Sequence, residues 1–409
     1  MLKLDHITAG LAAVIVGYTS AIIIVIQAAQ ALGATSSQIE SWLLALGLSM
    51  GVGSFVLSYY YKIPILIAWS TPGAALLITL EGGYSIAQAT PAFVVTGVMI
   101  TLTGLIRPLN KALSSIPPHL ASAMLAAILL PFCINAFTPI AHQPLLFFTM
   151  FVSFIVAKIL FPKFTMLTLL VVGIGYSMLF GQFEVASLSF DIARPEFMGW
   201  QWDHNAIINI AVPLYLLTML SQNLPGFAML KNYDYPTPTQ PILVTTGLAN
   251  ALFAFIGGFS LNLAAITASL CMNESVDKQP QKRYLAAMCG GVFYIVAGLW
   301  GTAVVSLFMA LPKEVSQMLA GLALLGTLTL CLKKSLAEAD SEPALITFLI
   351  TLSGVSIFGV NSTLLGLTTG WLYMILKRRE AASLYSKSKE NDSPTSSVSS
   401  SSTPRSLEQ

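Results

Sequence analysis

The sequence has 409 residues, of which 55% are hydrophobic and only 9% are charged, and its formal net charge is +2. Because a soluble chain carries about 25% charged residues, this composition excludes a soluble globular protein and predicts a polytopic membrane protein surrounded by lipid. The small net charge predicts no nucleic-acid partner, and the four cysteines have no paired spacing, so we expect neither a disulfide framework nor a metal site.

Fourteen apolar segments are predicted to cross the bilayer, since about 20 mostly apolar residues suffice for a helical span. These spans cover residues 7–32, 39–58, 63–81, 88–107, 119–137, 143–161, 164–181, 205–230, 238–257, 258–274, 283–308, 313–332, 342–358 and 361–377. The first is predicted to be retained, because it is longer than the roughly 7–15 apolar residues of a cleaved signal peptide. The Ser-rich end, residues 381–409, has little to bury and is predicted to be a disordered cytoplasmic tail.

The basic residues predict the orientation of these spans. With fourteen spans and a cytoplasmic N-terminus, all but two of the 20 Lys and Arg residues fall on the inner side, and only Arg194 and Lys313 fall outside. This split follows the positive-inside rule. We therefore expect a multi-pass membrane protein with an even number of spans and with both termini in the cytoplasm.

The connection at residues 183–204 is predicted to be an extracytoplasmic linker between two groups of seven spans. Because seven is odd, the two groups enter the membrane from opposite sides, as in many secondary transporters. The predicted organisation is a first inverted repeat over residues 1–182 and a second over residues 205–380. The predicted fold class is an all-α polytopic membrane protein with short extended breaks in spans 3 and 10.

Span 3 carries a helix-start signal inside an apolar segment, AWSTPGAALLITLEGG, residues 68–83. Ser70 or Thr71 suits the N-cap position, and Pro72 suits the first helical position. Span 10, with the sequence GGFSLNLAAITASLCMNES, also has a polar start and then a helix of small residues, for which Asn262 is the predicted N-cap. An ordinary kink at Pro72 and Gly73 is the alternative for span 3, but the matching break in span 10 favours paired half-helices.

The two breaks predict an anion-binding site. Each half-helix exposes unpaired N–H groups and the positive end of its dipole, and in inverted halves the two N-termini face one another. The predicted substrate-binding residues at the breaks are Ser70, Thr71, Pro72, Gly73, Phe259, Ser260, Leu261 and Asn262. The aromatic residues flanking the breaks, Trp69 and Phe259, are candidates either to line a pocket for a ring or to pack between helices.

Polar residues in two other spans are further candidates for substrate binding. Gln222 and Asn223, in the span 8 sequence LSQNLPGF, could donate N–H groups to a carboxylate, and interhelical hydrogen bonding is the alternative. Tyr18 in span 1 could supply a ring face and a hydroxyl, or could pack in the core. In span 2, Gly47 and Gly51 form a small-xxx-small pair, which predicts close helix contact.

No carboxylate is predicted to lie at the centre of the membrane. Glu81 and Glu274 end the two broken spans and are the candidates for proton coupling, although hydrated positions at the interface are favoured for both. Asp5 and His6 precede span 1 and are expected to be hydrated there as well.

Four parts of the sequence carry a family resemblance. They read GYTSAIIIVIQAAQ in span 1, IAWSTPGAALL in span 3, SQNLPGF in span 8, and GGFSLNLAAITASLCM followed by KRYLAAMCGGVFYIVAGLWG across spans 10 and 11. Over residues 5–378 the chain resembles the bacterial benzoate membrane transporter (BenE-type) family. The resemblance implies benzoate–proton symport at the inner membrane. It also implies the fold of the uracil-permease and sulfate-transporter group, with core and gate bundles and with short strands and half-helices in spans 3 and 10.

The sequence departs from the uracil-permease pattern at the substrate positions. Proteins of that group use glutamates in spans 8 and 10, whereas the polar residues here are Ser221, Gln222, Asn223, Ser260, Asn262 and Thr267. The absence of these carboxylates argues against a nucleobase and favours an anion, which a carboxylate would repel. It also leaves the proton without an assigned carrier.

The predicted function is import of benzoate or a similar aromatic carboxylate together with a proton, without a cofactor. The expected partners are that substrate, the proton and membrane lipid, with a homodimer suggested by analogy to related folds. A transporter for another anion such as sulfate or a dicarboxylate, and a passive channel, are the alternatives. An enzyme is disfavoured because the sequence contains no HExxH, GxSxG or Gly-rich phosphate loop.

Overall fold

The computed structural model describes residues 2–80, 83–106, 108, 116–184, 189–337 and 341–391. The elements of the first half are α1 (Leu4–Ala31), α2 (Ser36–Tyr61), β1 (Ile67–Trp69), α3 (Thr71–Ile78), α4 (Ile86–Leu105), α5 (Pro118–Asn135), α6 (Pro144–Leu160) and α7 (Thr165–Leu179). The elements of the second half are α8 (His204–Asn232), α9 (Thr239–Phe253), β2 (Leu261–Leu263), α10 (Ile266–Met272), α11 (Tyr284–Leu299), α12 (Gly301–Met309), α13 (Lys313–Ser335), α14 (Glu342–Ser353) and α15 (Ser362–Asn391).

Each predicted span contains a helix, or a strand followed by a helix. Within the described residues, eight helices are long and apolar enough to cross a bilayer, namely α1, α2, α4, α5 with the turn that follows it, α7, α8, α9 and α13. A ninth is reached if α11 and α12, which are bent by 63° at Trp300, count as one broken span. The chain is thus a multi-pass membrane protein, while the number of fourteen crossings and the inverted repeat stay predictions.

The two broken spans meet through a short antiparallel strand pair. Strand β1 pairs with β2 in the register Ile67 to Leu263, Ala68 to Asn262 and Trp69 to Leu261. The ladder extends at both ends, since Ser70 N–H donates to the Ser260 carbonyl and Ala264 N–H donates to the Leu66 carbonyl, both at 2.9 Å. Backbone groups that an apolar interior would leave unpaired are therefore satisfied between the two halves of the chain.

The helix-start signal of span 3 works as the sequence predicts. Ser70 is the N-cap of α3, and its Oγ accepts a hydrogen bond from Gly73 N–H at 3.0 Å, with Pro72 in the first turn. The corresponding prediction for Asn262 is wrong. Asn262 lies in β2, and α10 begins four residues later, after Ala265, without a side-chain cap. The strand pair holds the backbone of Asn262 extended, so the helix begins only where the pairing with β1 ends.

Helices α2 and α11 approach closely through glycines, as predicted for Gly47 and Gly51. A Cβ added to Gly47 would lie 2.5 Å from the Cα of Gly298, and one added to Gly51 would lie 2.5 Å from the Gly291 carbonyl oxygen. The close approach confirms the small-xxx-small interpretation of span 2. The glycines that meet them, on α11, belong to the same apolar run that the sequence analysis assigned to span 11.

Helix α15 is longer than its predicted span. It continues to Asn391, into the range for which the sequence predicts a disordered tail. Residues 380–391 follow the last span without a Pro or Gly and include Glu, Ala, Leu and Lys, which all favour helix. Residues 392–409 lie outside the described part of the chain.

Candidate functional site

A cavity of about 530 Å³ lies where the two broken spans meet. It is lined by residues of α1, α2, α3, α5, α8, α10, α11 and α13 together with the strand pair. Its volume falls within the roughly 300–1,000 Å³ typical of small-molecule sites. We call it the inner cavity, because it extends along α13 to Lys334, on the side predicted to face the cytoplasm.

Asn262 lies in the wall of the inner cavity and is fully buried. Neither its Oδ1 nor its Nδ2 has a hydrogen-bond partner among the described residues. An unpaired buried amide costs about 1–3 kcal/mol, so a group of this kind is expected to bind something that enters the cavity. Because β2 pairs with β1, the side chain of Asn262 is held beside Ala68, which also lines the cavity.

The N-terminus of α3 forms a second part of the wall. Thr71 and Pro72 line the cavity, while Ser70 is fully buried behind them as the cap. Gly73 is needed there for close packing, because a Cβ at this position would lie 2.5 Å from Leu214 Cδ1 on α8. The first turn of α3 thus brings the positive end of a helix dipole to the cavity without a charged side chain.

Helix α8 supports the strand pair from behind. Its π-helical turn, Thr218–Asn223, directs Asn223 Oδ1 to accept from Leu263 N–H at 2.9 Å, while Asn223 Nδ2 donates to Met219 Sδ at 3.3 Å. The hydroxyls of Thr218 and Ser260 are hydrogen-bonded to each other, and Ser260 has a positive φ of 43°. Asn223 and Ser260 therefore hold the strand in place.

Gln222, next to Asn223, faces the other way. It lines the inner cavity and is only half-buried. Within the described residues, its side chain makes no hydrogen bond, so its amide is available to a ligand.

Aromatic rings bound one side of the cavity. Trp69 and Tyr294 line it, and Tyr18 packs between them with ring centroids 4.9 Å from Trp69 and 6.0 Å from Tyr294. The Tyr18 hydroxyl is buried without a partner among the described residues. Phe259 is fully buried instead against Trp42, with ring centroids 5.2 Å apart. Tyr294 was not among the predicted site residues, since its only signal in the sequence is an aromatic residue in the middle of the small-residue run of span 11.

The predicted site residues are thus divided into two layers. Those that line the inner cavity are Thr71, Pro72, Gln222 and Asn262. Those that lie behind its wall are Tyr18, Ser70, Gly73, Asn223, Phe259, Ser260 and Leu261. The structure brings all of them to the junction of the two broken spans.

The proton-coupling candidates lie apart from the cavity. Glu81 is outside the described residues. Glu274 is exposed in the turn that follows α10, in agreement with the hydrated position that the sequence analysis favours for it.

An ionic cluster of an exposed lysine with a buried histidine and a buried carboxylate lies at the N-terminus of α1. His6 is fully buried, so the prediction that it is hydrated at the interface is wrong. Its Nδ1 accepts from Lys3 N–H, which leaves Nε2 to donate to Asp277 Oδ2 at 3.2 Å. Lys3 Nζ also contacts Asp277 Oδ2, at 2.8 Å. The contact between His6 and Asp277 was not predicted, because the two residues are 271 positions apart along the chain.

Asp277 and Arg283 secure the end of α10. Arg283 Nε donates to the Asp277 carbonyl and Arg283 Nη1 donates to the Met272 carbonyl, both at 2.7 Å. Hydrogen bonds from Lys3 and from the backbone N–H of Gln279 hold the pKa of the Asp277 carboxyl well below its usual range. The cluster therefore ties the N-terminus of α1 to the half-helix that borders the cavity.

A multi-pass bundle with a ligand-sized cavity at paired strand–helix breaks is the architecture of a membrane transport protein. Solved structures with this fold include the transmembrane domain of a cyanobacterium bicarbonate transporter, BicA, with a TM-score of 0.58 and 15% identity over 90% of this chain and 97% of that one. They also include the murine anion transporter Slc26a9 in its inward-facing state, with a TM-score of 0.56 and 12% identity over 92% of this chain and 69% of that one. At these identities the likeness establishes the fold.

Sequence comparison identifies the family. Residues 1–376 match the family described as benzoate membrane transport protein, BenE. The benzoate membrane transport protein of Acinetobacter baylyi is 37% identical over 93% of this chain and 97% of its own length. The inner membrane protein YdcO of Escherichia coli is 38% identical over 90% of this chain and 95% of its own length. The chain belongs to the benzoate membrane transport protein family.

Proposed function

We propose that this protein imports benzoate, or a similar aromatic carboxylate, with a proton across the bacterial inner membrane. The observation that carries the proposal is the fully buried amide of Asn262, which lies at the inner cavity without a partner among the described residues. The name of the relative from Acinetobacter baylyi supports benzoate as the substrate. The name of the Escherichia coli relative supports the inner membrane as the location.

The substrate carboxylate would bind between Asn262 and the N-terminus of α3. Asn262 Nδ2 and the amide of Gln222 would donate hydrogen bonds to its oxygens, and the helix dipole at Thr71 would favour its negative charge. No acidic residue is among the described residues that line the inner cavity, so none would repel the anion.

The aromatic ring would pack against Trp69 and Tyr294. Ring pairs gain about 0.5–1.5 kcal/mol beyond the burial of their area, which favours an aromatic acid over an aliphatic one of the same charge. Alternating access would follow from movement of one group of helices against the other around this site.

Coupling to one proton makes transport of a monoanion electroneutral. We therefore expect the pH gradient to drive accumulation, and we expect an imposed membrane potential to leave the initial rate unchanged. Proteoliposomes with a potassium diffusion potential at constant pH test this point. A rate that follows the potential would contradict one-to-one symport.

The decisive experiment is uptake of labelled benzoate into proteoliposomes with and without an inward proton gradient. Saturable accumulation that depends on the gradient, and that other aromatic carboxylates but not uracil or sulfate inhibit, is the expected result. Equilibration that ignores the gradient would indicate a uniporter or a channel. Absence of benzoate flux, with flux of sulfate or bicarbonate instead, would replace the proposed substrate by an inorganic anion.

A further inference from the structure

A second cavity, of about 470 Å³, borders the C-terminal end of α3, whereas the inner cavity borders its N-terminus. Ile78, the last residue of α3, contributes to its wall, and the remaining lining comes from α1, α5, α12 and α13 with the short connection between the last two. We call it the outer cavity, because it contains Lys313, one of the two basic residues that the sequence assigns to the extracytoplasmic side.

One face of α13 lines both cavities. Lys313, Gln317 and Ala320 line the outer cavity. Leu324, Thr327, Cys331 and Lys334 line the inner cavity. These positions alternate by four and three residues, so they form one unbroken stripe along the helix.

A face of α1 repeats this arrangement. Gly17 and Ser20 line the inner cavity, and Ile23, Gln27 and Gln30 line the outer cavity. Two helices therefore supply a shared wall that passes from one cavity to the other beside α3.

The charges on α13 suit an anion at each end of the wall. Lys313 and Lys334 are 21 positions apart, about 32 Å along a helix, which is close to the roughly 30 Å thickness of the hydrocarbon core. Each is the only charged residue among the described residues that line its cavity.

The outer cavity also holds amides that are free to bind. Within the described residues, the side chains of Gln27 and Gln317 make no hydrogen bond, while Gln30 donates to Met309 Sδ at 3.1 Å. An ammonium group beside two free amides can hold a carboxylate by one charge-assisted and several neutral hydrogen bonds.

We propose that the outer cavity is a second binding site for a monocarboxylate anion, which it captures before the anion reaches the inner cavity along the shared faces of α1 and α13. Lys313 supplies the charge, and Gln27 and Gln317 supply hydrogen bonds. The choice of a carboxylate rests on the proposed function, whereas the capacity to attract an anion rests on the outer cavity itself.

The first test compares Lys313→Gln with Arg194→Gln. Arg194 is exposed, lies on the same predicted side and lines neither cavity, so its loss makes the same change in net charge. For benzoate uptake into intact cells, K313Q is expected to raise KM about twofold to fivefold, the range for one exposed ion pair, with kcat unchanged. R194Q is expected to leave both constants unchanged. Equal KM values in the two variants would overturn the proposal.

The second test does not depend on benzoate transport. In a variant without native cysteines, Gln317→Cys is labelled in intact cells by an anionic and by a cationic membrane-impermeant methanethiosulfonate. The measured quantity is the ratio of the labelling rate with the anionic reagent to the labelling rate with the cationic reagent. This ratio is expected to be higher for the thiol of Gln317→Cys than for a free thiol in solution, and K313Q is expected to lower it to the free-thiol value. A ratio that K313Q leaves unchanged would overturn the proposal, even if benzoate is transported. A ratio that falls in K313Q while benzoate is not transported would keep the outer anion site and reject the proposed substrate.

Discussion

Asn223 and Asn262 are the same residue type but differ in their hydrogen-bond partners. Asn223 and Asn262 are both fully buried, and both lie at the junction of the broken spans. Asn223 uses its amide to hold Leu263 N–H and Met219 Sδ, whereas neither polar atom of Asn262 has a partner among the described residues. The first side chain therefore contributes to stability and the second is available for binding.

This contrast predicts opposite effects of the same substitution. Asn262→Leu removes an unpaired amide, so the melting temperature of the detergent-solubilised protein should stay constant or rise while benzoate affinity falls. Asn223→Leu leaves Leu263 N–H unpaired and should cost about 1–3 kcal/mol of stability. Thermal melting together with benzoate binding by calorimetry measures both. A lower melting temperature in N262L than in N223L would contradict these assignments.

A charge at Thr71 tests the anion site at the start of α3. Thr71→Asp places a carboxylate at the N-terminus of the half-helix, where the dipole stabilises it and where it would repel a bound anion. We expect benzoate binding to be lost while the melting temperature is maintained. Thr71→Asn, which has the same shape as Thr71→Asp without its charge, is the control and should retain binding. Undiminished affinity in T71D would exclude the carboxylate from this position.

Among the helices and strands, features set by neighbouring residues were predicted, whereas features set by contacts between distant segments were not. The sequence STPG marks the start of α3 because a cap and a proline act within one turn. The pairing of β1 with β2, in contrast, joins segments that are far apart in the sequence, and a three-residue strand has no period to detect. The N-cap assigned to Asn262 failed for this reason, since the strand pairing outweighed a local preference.

The glycine contact between α2 and α11 gives a prediction for a helix pair. Gly47→Ala would place a Cβ within 2.5 Å of the Gly298 Cα, and overpacking of this kind costs about 1–3 kcal/mol. Gly175→Ala is the matched control, because a Cβ on that α7 glycine meets nothing within 4 Å. We expect G47A to melt at a lower temperature than the wild type and G175A to melt at the same or a higher temperature. Equal melting temperatures of G47A and the wild type would contradict a tight contact between α2 and α11.

At the scale of the whole molecule, composition and charge predicted a multi-pass membrane protein. Hydropathy identified the long spanning helices because their apolar runs are continuous. The ionic cluster of exposed Lys3 with buried His6 and Asp277 was not predicted, because a residue that precedes an apolar run is expected to be solvated whether or not a distant loop covers it. The outer and inner cavities depend on how several helices pack together, which no single segment encodes.

The same cluster predicts a pH dependence of stability. Because the folded-state pKa of Asp277 lies below the ordinary value of 3.8, its contribution is complete above that value and is lost as the pH falls toward the folded-state pKa. Asp277→Asn should therefore lower the melting temperature at pH 7, and the difference from the wild type should shrink as the pH falls below 3.8. Glu274→Gln, at an exposed carboxylate in the same loop, is the control. A difference in D277N that is independent of pH would contradict the ion pair.

The strand pair also constrains how the protein is made. The ribosome completes residues 67–69 long before it makes residues 261–263, so through most of synthesis β1 has no ladder partner. Lipid cannot satisfy the open N–H and C=O groups. The newly made first half must therefore keep this segment in contact with water or with the insertion machinery. Biogenesis of the protein is complete only when the second half emerges and closes the ladder.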